Sequence, residues 1–167
     1  MSQEERKCNI VYAIYPNANG FGYVYTENAR KLIDYGVVRI SPISNRKVME
    51  RIRKSFAYLR PTIVVLQDPE GKFARTGSRA QRLVEKIEAY AKEENLAVVK
   101  YSRDQIREVF EQFGAVTKYE IAQLLLTEFK ELEQRTPKKR SLWVTEDRNM
   151  AIFDALSLAE TWYYLNE

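Results

Sequence analysis

The order of strand-like and helix-like segments is the feature that most constrains the fold of this chain. Between Ile10 and Ile40, three runs rich in Ile, Val and Tyr are separated by polar segments, and the first is followed by Pro16 and Asn17. Proline, asparagine and glycine favour turns, and the short connection ENARK between the second and third runs favours a hairpin. We therefore expect three neighbouring antiparallel strands, the first of which ends at Tyr15.

From Asn45 onward, helical periodicity alternates with two further strands. TIVVLQD is a continuous apolar run of the kind found in central strands covered on both faces, and LAVVKYS is the fifth strand. Three later helices are predicted over Arg103 to Phe113, over Thr117 to Glu133, and from Thr145 to about Leu165. This order predicts an α/β fold, with a mixed five-stranded sheet flanked by helices, in a single domain of residues 1–167.

Composition removes several classes of site. The chain of 167 residues has no histidine and one cysteine, so a histidine-based metal site, a Ser/His triad and an internal disulfide are excluded. Lysine and arginine number 27 against 23 acidic residues, a mildly basic balance that permits a nucleic-acid partner. No segment approaches the ~20 apolar residues of a membrane span. We expect a soluble, cytoplasmic protein without a membrane partner.

One basic segment, PEGKFARTGSRAQR, follows the central strand. Positive charges can meet phosphates, and an aromatic side chain can stack on a base. The alternative is a solvated basic loop whose phenylalanine folds back on the domain. The predicted nucleic-acid-binding residues are Lys72, Phe73, Arg75, Arg79 and Arg82.

Four short motifs occur in one order along the chain. The first strand ends in Tyr-Pro-Asn, Gly22 and Tyr23 follow, and DYGVVRI comes next. Later segments are GAVTKYEIAQLL, with Lys118, and AIFDALSLA, with Asp154. Together with the element order, these motifs resemble the RuvC family of Holliday-junction resolvases, which have the RNase H-like fold. The resemblance covers nearly the whole chain.

The resemblance implies a site in which four acidic residues bind Mg²⁺. The first acid of the family falls on Tyr15, the second on Gln67 and the third on Ala151; only the fourth, Asp154, is present. Two-metal hydrolysis of a phosphodiester requires converging carboxylates, and a phenol, an amide and a methyl group do not replace them. We therefore expect weak or absent catalysis and no cofactor.

A rearranged acidic site is the alternative. A β-bulge could aim Asp68 into the site, and Asp147 would share a helix face with Asp154 if the last helix started early enough. Asp68, Asp147 and Asp154 would then hold Mg²⁺ or Mn²⁺. Turn and capping preferences explain the first two equally simply, because Asp68 opens a DPEG turn and Asp147 precedes a helix.

Lys118 also has two interpretations. The lysine of the family at this position supports the active site, so a catalytic set would comprise Asp154, Asp68 and Lys118. Asp154 could instead be an inward-facing acid paired with Lys118, because a buried carboxylate needs a partner. Lys118 could also be a solvated lysine in the first turn of its helix.

Three functions remain open. The first is a catalytically degenerate RuvC-like protein that binds structured or branched DNA without cleaving it. The second is a scaffold or regulatory subunit, and the third is a metal-dependent junction endonuclease with rearranged acids. The resemblance also implies a homodimer.

Overall fold

A computed structural model of the chain describes residues 9–69, 77–141 and 145–166. Alternating apolar residues and β-branched or aromatic side chains form the strands, as the sequence predicts. The strands are β1 (Val11–Asn17), β2 (Gly20–Asn28), β3 (Lys31–Arg39), β4 (Ile63–Gln67) and β5 (Ala97–Tyr101).

The helices alternate with the last two strands and then complete the described chain. A short 3₁₀ helix, Lys130–Arg135, lies between the fourth and fifth helices. The α-helices are α1 (Asn45–Leu59), α2 (Ser78–Glu93), α3 (Arg103–Glu111), α4 (Lys118–Glu128) and α5 (Met150–Asn166). None of the helices in the described ranges is long and apolar enough to cross a membrane.

The five strands form one mixed sheet in the order β3-β2-β1-β4-β5. β1, β2 and β3 pair antiparallel, whereas β1, β4 and β5 pair parallel through helical crossovers. This topology confirms the predicted α/β fold, with an antiparallel meander joined to parallel strands.

Helices cover both faces of the sheet. Val11 and Ala13 of β1 face the side on which α3, α4 and α5 pack. Tyr12 and Ile14, one residue out of phase, face α1 and α2. Because side chains alternate across a strand, Tyr15 points to the α5 side. The packing of α5 therefore decides what surrounds Tyr15.

The prediction that β1 ends at Tyr15 is wrong. β1 continues for two residues, since Pro16 pairs with Phe21 and Asn17 pairs with Gly20. The pairing of β1 with β4 reaches only to Ile14. Proline has no N–H to donate, and it is tolerated here because the neighbouring parallel strand has already ended.

Three helix boundaries also differ from the predictions. α3 ends at Glu111 instead of Phe113. The helix that begins near Thr117 stops at Glu128, because buried Phe129 leaves helical geometry and the chain continues as the 3₁₀ helix. The last helix begins at Met150 instead of Thr145. Asp147 Oδ1 accepts a hydrogen bond from the Asn149 backbone N–H (2.9 Å), which forms a turn before the helix.

α5 approaches the sheet closely at one glycine. A Cβ added to Gly22 of β2 would overlap the backbone carbonyl of Ala151 and lie 2.6 Å from its Cβ. Gly22 is the residue that pairs with Tyr15. The missing side chain therefore lets α5 seat Ala151 and Asp154 against the end of β1.

Candidate functional site

A cleft of about 240 Å³ lies where the ends of β1 and β3 meet the start of α5. We call it the cleft throughout. It contains the position implied for the first metal-binding acid, occupied by Tyr15, together with the third and fourth positions. Its lining residues are Tyr15, Asn17–Asn19, Val37, Arg39, Thr145–Arg148, Ala151 and Asp154.

The ammonium group of Lys118 joins the polar side chains at the base of the cleft. Its Nζ donates to Asp154 Oδ2 at 3.2 Å, to the Tyr15 hydroxyl oxygen at 3.4 Å and to Glu146 Oε1 at 3.5 Å. It also lies 5.3 Å from the centre of the Tyr15 ring, within range of a cation–π contact. A lysine ammonium has three N–H donors, and this one has three acceptors.

Local sequence sets the start of α4 at Lys118, and the packing of α4 on α5 turns its side chain towards Asp154. Thr117 and Glu120 form a capping box that starts α4, in which each side chain accepts a hydrogen bond from the other residue's backbone N–H at 3.1 Å. Lys118 is therefore the first residue of the helix. α4 packs against α5, where Asp154 is 4% exposed on a helix that is almost entirely buried. The structure shows Lys118, with a side chain that is 30% exposed, as the partner of a buried acid.

Burial controls the ionisation of this cluster. It raises the pKa of the Asp154 carboxyl from its ordinary value of 3.8 to about 6, although the charge of Lys118 opposes the shift. Burial, followed by the charge of Asp154, raises the pKa of Tyr15, so the phenol is neutral at physiological pH. Burial also opposes the charge of Lys118, but the carboxylates of Asp154 and Glu146 outweigh it and raise the lysine pKa. At neutral pH the centre is an ammonium–carboxylate pair beside a neutral phenol.

The residues present do not fit the magnesium site that the fold resemblance implies. Mg²⁺ prefers several oxygen ligands, of which carboxylates compensate its charge. Asp154 and Glu146 already face the Lys118 ammonium, and Tyr15 is neutral. Across the described ranges, no three side chains of His, Cys, Asp or Glu are grouped so that they could hold a metal ion.

The structure does not bring the three acids of the rearranged site together. Asp68 follows β4, and its backbone N–H donates to the Tyr101 carbonyl at 2.8 Å, which keeps it in line with the sheet. Asp147 lines the cleft but lies in the turn before α5, not on the helix, and its Oδ2 accepts the Lys138 backbone N–H at 3.2 Å. Gln67, at the second implied position, ends β4 paired with β5.

The predicted nucleic-acid-binding residues lie in two different settings. Arg79 is at the start of α2, where its guanidinium donates to the Asn17 carbonyl (2.9 Å) and to Asn45 Oδ1 (3.0 Å). It thereby ties the end of β1 to the starts of α1 and α2. Arg82 is exposed on α2. Lys72, Phe73 and Arg75 lie outside the described residues, so the basic segment stays a prediction.

Next to the cleft lies a basic groove, of which the sequence indicates only the run PKKR, residues 137–140. We define it by Asn19, Arg39, Lys138–Arg140 and Thr145–Arg148, which enclose about 420 Å³. Arg39 and Arg148 also line the cleft. Only the short basic run PKKR hinted at this surface, because Arg39 and Arg148 are isolated charges in the sequence and become neighbours through the sheet and the start of α5.

Comparisons with known proteins find similar solved structures but no matching family model or curated sequence. No protein-family model matches the chain, and no curated protein matches it. Solved structures match over most of its length. RuvC of T. thermophilus in complex with a Holliday junction substrate has a TM-score of 0.64 and 20% identity, over 94% of both chains.

Two further structures agree with this match. A second Thermus thermophilus RuvC structure has a TM-score of 0.62 and 19% identity, covering 93% of this chain and 95% of that one. The yeast mitochondrial Holliday junction resolvase Ydc2 has a TM-score of 0.63 and 12% identity, covering 93% of this chain and 78% of that one. The chain therefore has the RNase H-like fold of the RuvC-type Holliday-junction resolvases.

Proposed function

We propose that this protein binds branched or structured DNA at the cleft and the basic groove and does not cleave it. The observation that carries the proposal is the position of the Lys118 ammonium. It lies among Asp154, Tyr15 and Glu146, in the cleft where the fold resemblance implies metal-binding acids.

Charge and donor chemistry support the absence of cleavage. In a two-metal mechanism, two cations clamp the attacking and leaving oxygens and need surrounding carboxylates to hold them. Here one protein cation compensates the remaining acids, and Ala151 offers no ligand. A metal ion would have to displace Lys118 from Asp154, and the displaced ammonium would then repel the metal.

The basic groove supports binding. Arg39, Lys138 and Arg148 are exposed and form no ion pair with the residues that the structure describes. The two acids of the groove are engaged, Glu146 with Lys118 and Asp147 with backbone N–H groups. The groove therefore has an excess of available positive charge, as contacts to a phosphate backbone require.

The test uses fluorescence anisotropy with a labelled four-way junction and a linear duplex of the same length, each with and without Mg²⁺. The same samples are then run on a denaturing gel. We expect junction binding that weakens steeply with salt, is independent of Mg²⁺ and leaves both DNAs intact. Nicked product, or no affinity for either DNA at low salt, would overturn the proposal.

A matched pair of variants locates the binding. The groove variant Arg39→Gln/Lys138→Gln/Arg148→Gln removes three charges from one surface. The control Lys31→Gln/Lys92→Gln/Lys130→Gln removes the same number from exposed positions scattered over other elements. We expect the groove variant to lose at least tenfold more affinity than the control. Equal losses would mean that DNA binds elsewhere on the protein.

A protein-binding role is the second candidate, and one surface favours it. Phe113, Tyr164 and Leu165 are 57%, 44% and 53% exposed, and the first two rings meet edge to face. Phe113 and Tyr164 line a cavity of about 300 Å³ between α3, α4 and α5. Failure to bind any DNA, together with co-purification of one stable partner that Phe113→Ser releases, would favour this function.

A further inference from the structure

α1 has far more positive charge than its stability requires. Between Asn45 and Leu59 it has five basic residues and one acid, Glu50, an excess as large as the net charge of +4 of the whole chain. Four of these cations are exposed and Lys47 is partly exposed. The basic residues are Arg46, Lys47, Arg51, Arg53 and Lys54.

The charges at the start of α1 oppose the helix dipole. Acidic side chains stabilise a helix N-terminus and basic ones stabilise the C-terminus. α1 has Arg46 and Lys47 in its first turn, no acid there, and no basic residue in its last turn. The charge of the first turn is therefore the sign that helix stability disfavours.

The capping motif of α1 also has a basic residue where an acid would stabilise the helix. Ser44 caps the helix by accepting the Lys47 backbone N–H at 3.2 Å. A capping box needs Glu or Gln at the position of Lys47, and both α3 and α4 have one, with Gln105 and Glu120. The chain thus uses complete boxes elsewhere and has a cation at this position in α1.

These cations share one face and are not neutralised by neighbours. At about 100° per residue, they lie opposite the buried stripe of Val48, Ile52 and Phe56. Within the described ranges none of the five forms an ion pair, and Arg53 contacts the Tyr90 ring instead (5.5 Å). The face ends at Tyr58, which is 83% exposed.

The chemistry of this face favours a nucleic acid over a membrane or a protein as its partner. A membrane-binding helix would need a free apolar face, but that of α1 is buried in the core. A protein interface would have an apolar centre, whereas this surface has charge throughout. Surfaces that are polar and strongly positive are typical of nucleic-acid contacts, and arginine matches phosphate geometry.

We propose that the exposed face of α1 is a second phosphate-binding surface, which contacts the backbone of duplex nucleic acid. This inference rests on the proposed function, from which it takes nucleic acid as the ligand. It adds a binding surface on the opposite side of the sheet from α5. α1 has 15 residues and is about 22 Å long, so it spans about six base-pair steps of a duplex.

The test compares the variant Arg46→Gln/Arg51→Gln/Lys54→Gln with the control Lys31→Gln/Lys92→Gln/Lys130→Gln. All six positions are exposed, and both variants lose three positive charges. Anisotropy with a linear duplex is measured from 50 to 300 mM salt, and the slope of log affinity against log salt is compared. Circular dichroism checks that each variant is folded.

We expect the α1 variant to have a slope shallower than that of the wild type by about 2 to 3, and the control by less than 1. Equal slopes for the two variants, while the wild type binds duplex, would overturn this inference and leave the proposed function intact. No binding of junction or duplex by the wild type would overturn the proposed function, and the α1 surface would lose its ligand with it.

Discussion

At the scale of single residues, one lysine defines the candidate site. Lys118 compensates Asp154, which has a side chain only 5% exposed. A carboxylate at that depth is stable only with a partner, because removing one member of a buried pair strands the other charge. The Lys118–Asp154 pair should therefore behave as a unit in both stability and titration.

Replacing Lys118 with methionine should destabilise the protein by about 2 to 4 kcal/mol, because it leaves Asp154 without its cation. The double variant Lys118→Met/Asp154→Asn should recover a large part of that loss, since both charges are then gone. Urea unfolding of the wild type, both single variants and the double variant completes the cycle. Additive losses would show that the two side chains do not interact.

The pH dependence of stability follows from the pKa of Asp154, which burial raises to about 6. The folded protein holds this proton more tightly than the unfolded chain. The associated stabilisation is therefore full below about pH 4 and is lost as the pH rises through about 6. Between pH 7 and pH 4, the wild type should gain up to about 3 kcal/mol relative to Asp154→Asn.

Unfolding of the two proteins in urea at several pH values checks this sign. A difference that stays constant from pH 4 to pH 7, or that grows with rising pH, would show that Asp154 is not held as the structure indicates. Glu146 and Tyr15, which also face Lys118, are kept in both proteins.

At the scale of elements, the seating of α5 on β2 builds the cleft. Gly22→Ala should lower stability by about 3 kcal/mol, because the new methyl group meets the Ala151 backbone, which cannot rotate away. Gly77→Ala is the matched control, since a Cβ there meets no atom of the described residues within 4 Å. Thermal unfolding of both variants tests the contact, and equal Tm values would contradict it.

The α1 helix offers a test of stability against binding. Lys47→Glu would complete the capping box with Ser44 and place an acid in the first turn, which should stabilise the protein by about 0.5 to 1 kcal/mol. The same change should weaken duplex binding at low salt. Melting curves and anisotropy are measured on one preparation, with Lys47→Gln to separate the cap from the charge reversal. A variant that is more stable and binds equally well would remove Lys47 from the binding surface.

At the scale of the whole molecule, the fold is that of a resolvase, whereas the charges of the cleft are compensated internally. Mg²⁺ should therefore leave the wild-type Tm unchanged relative to an ionic-strength control. The variant Tyr15→Asp/Gln67→Glu/Ala151→Asp, with acids at the implied positions, should gain stability with Mg²⁺, because a ligand bound only to the folded state stabilises it. A rise in the wild-type Tm with Mg²⁺ would contradict the internal compensation by Lys118.

Much of the fold was predictable because its signals are local. The strands and helices follow from hydrophobic periodicity, and the order of elements leaves few topologies for a mixed sheet. Boundaries were less accurate. β1 passes Tyr15 because Pro16 and Asn17 pair with Phe21 and Gly20 of β2, and the start of α5 depends on the hydrogen bonds of Asp147. The end of β1 depends on its pairing with a neighbouring strand. The start of α5 depends on a side chain that accepts hydrogen bonds from backbone N–H groups.

The composition and order of residues alone determined the class of fold and excluded histidine chemistry, and the family resemblance implied that Tyr15, Gln67 and Ala151 stand at positions of acids. Such conclusions follow from the identity of the residues and from a hydrophobic periodicity of two to four residues. Only the tertiary structure decided that Lys118 meets Asp154 across 36 positions and that Arg39 and Arg148 share a groove. It also decided that Asp68 and Asp147 do not join Asp154. Side-chain direction and ionisation depend on packing and burial, and the sheet and α5 set both by bringing distant segments together.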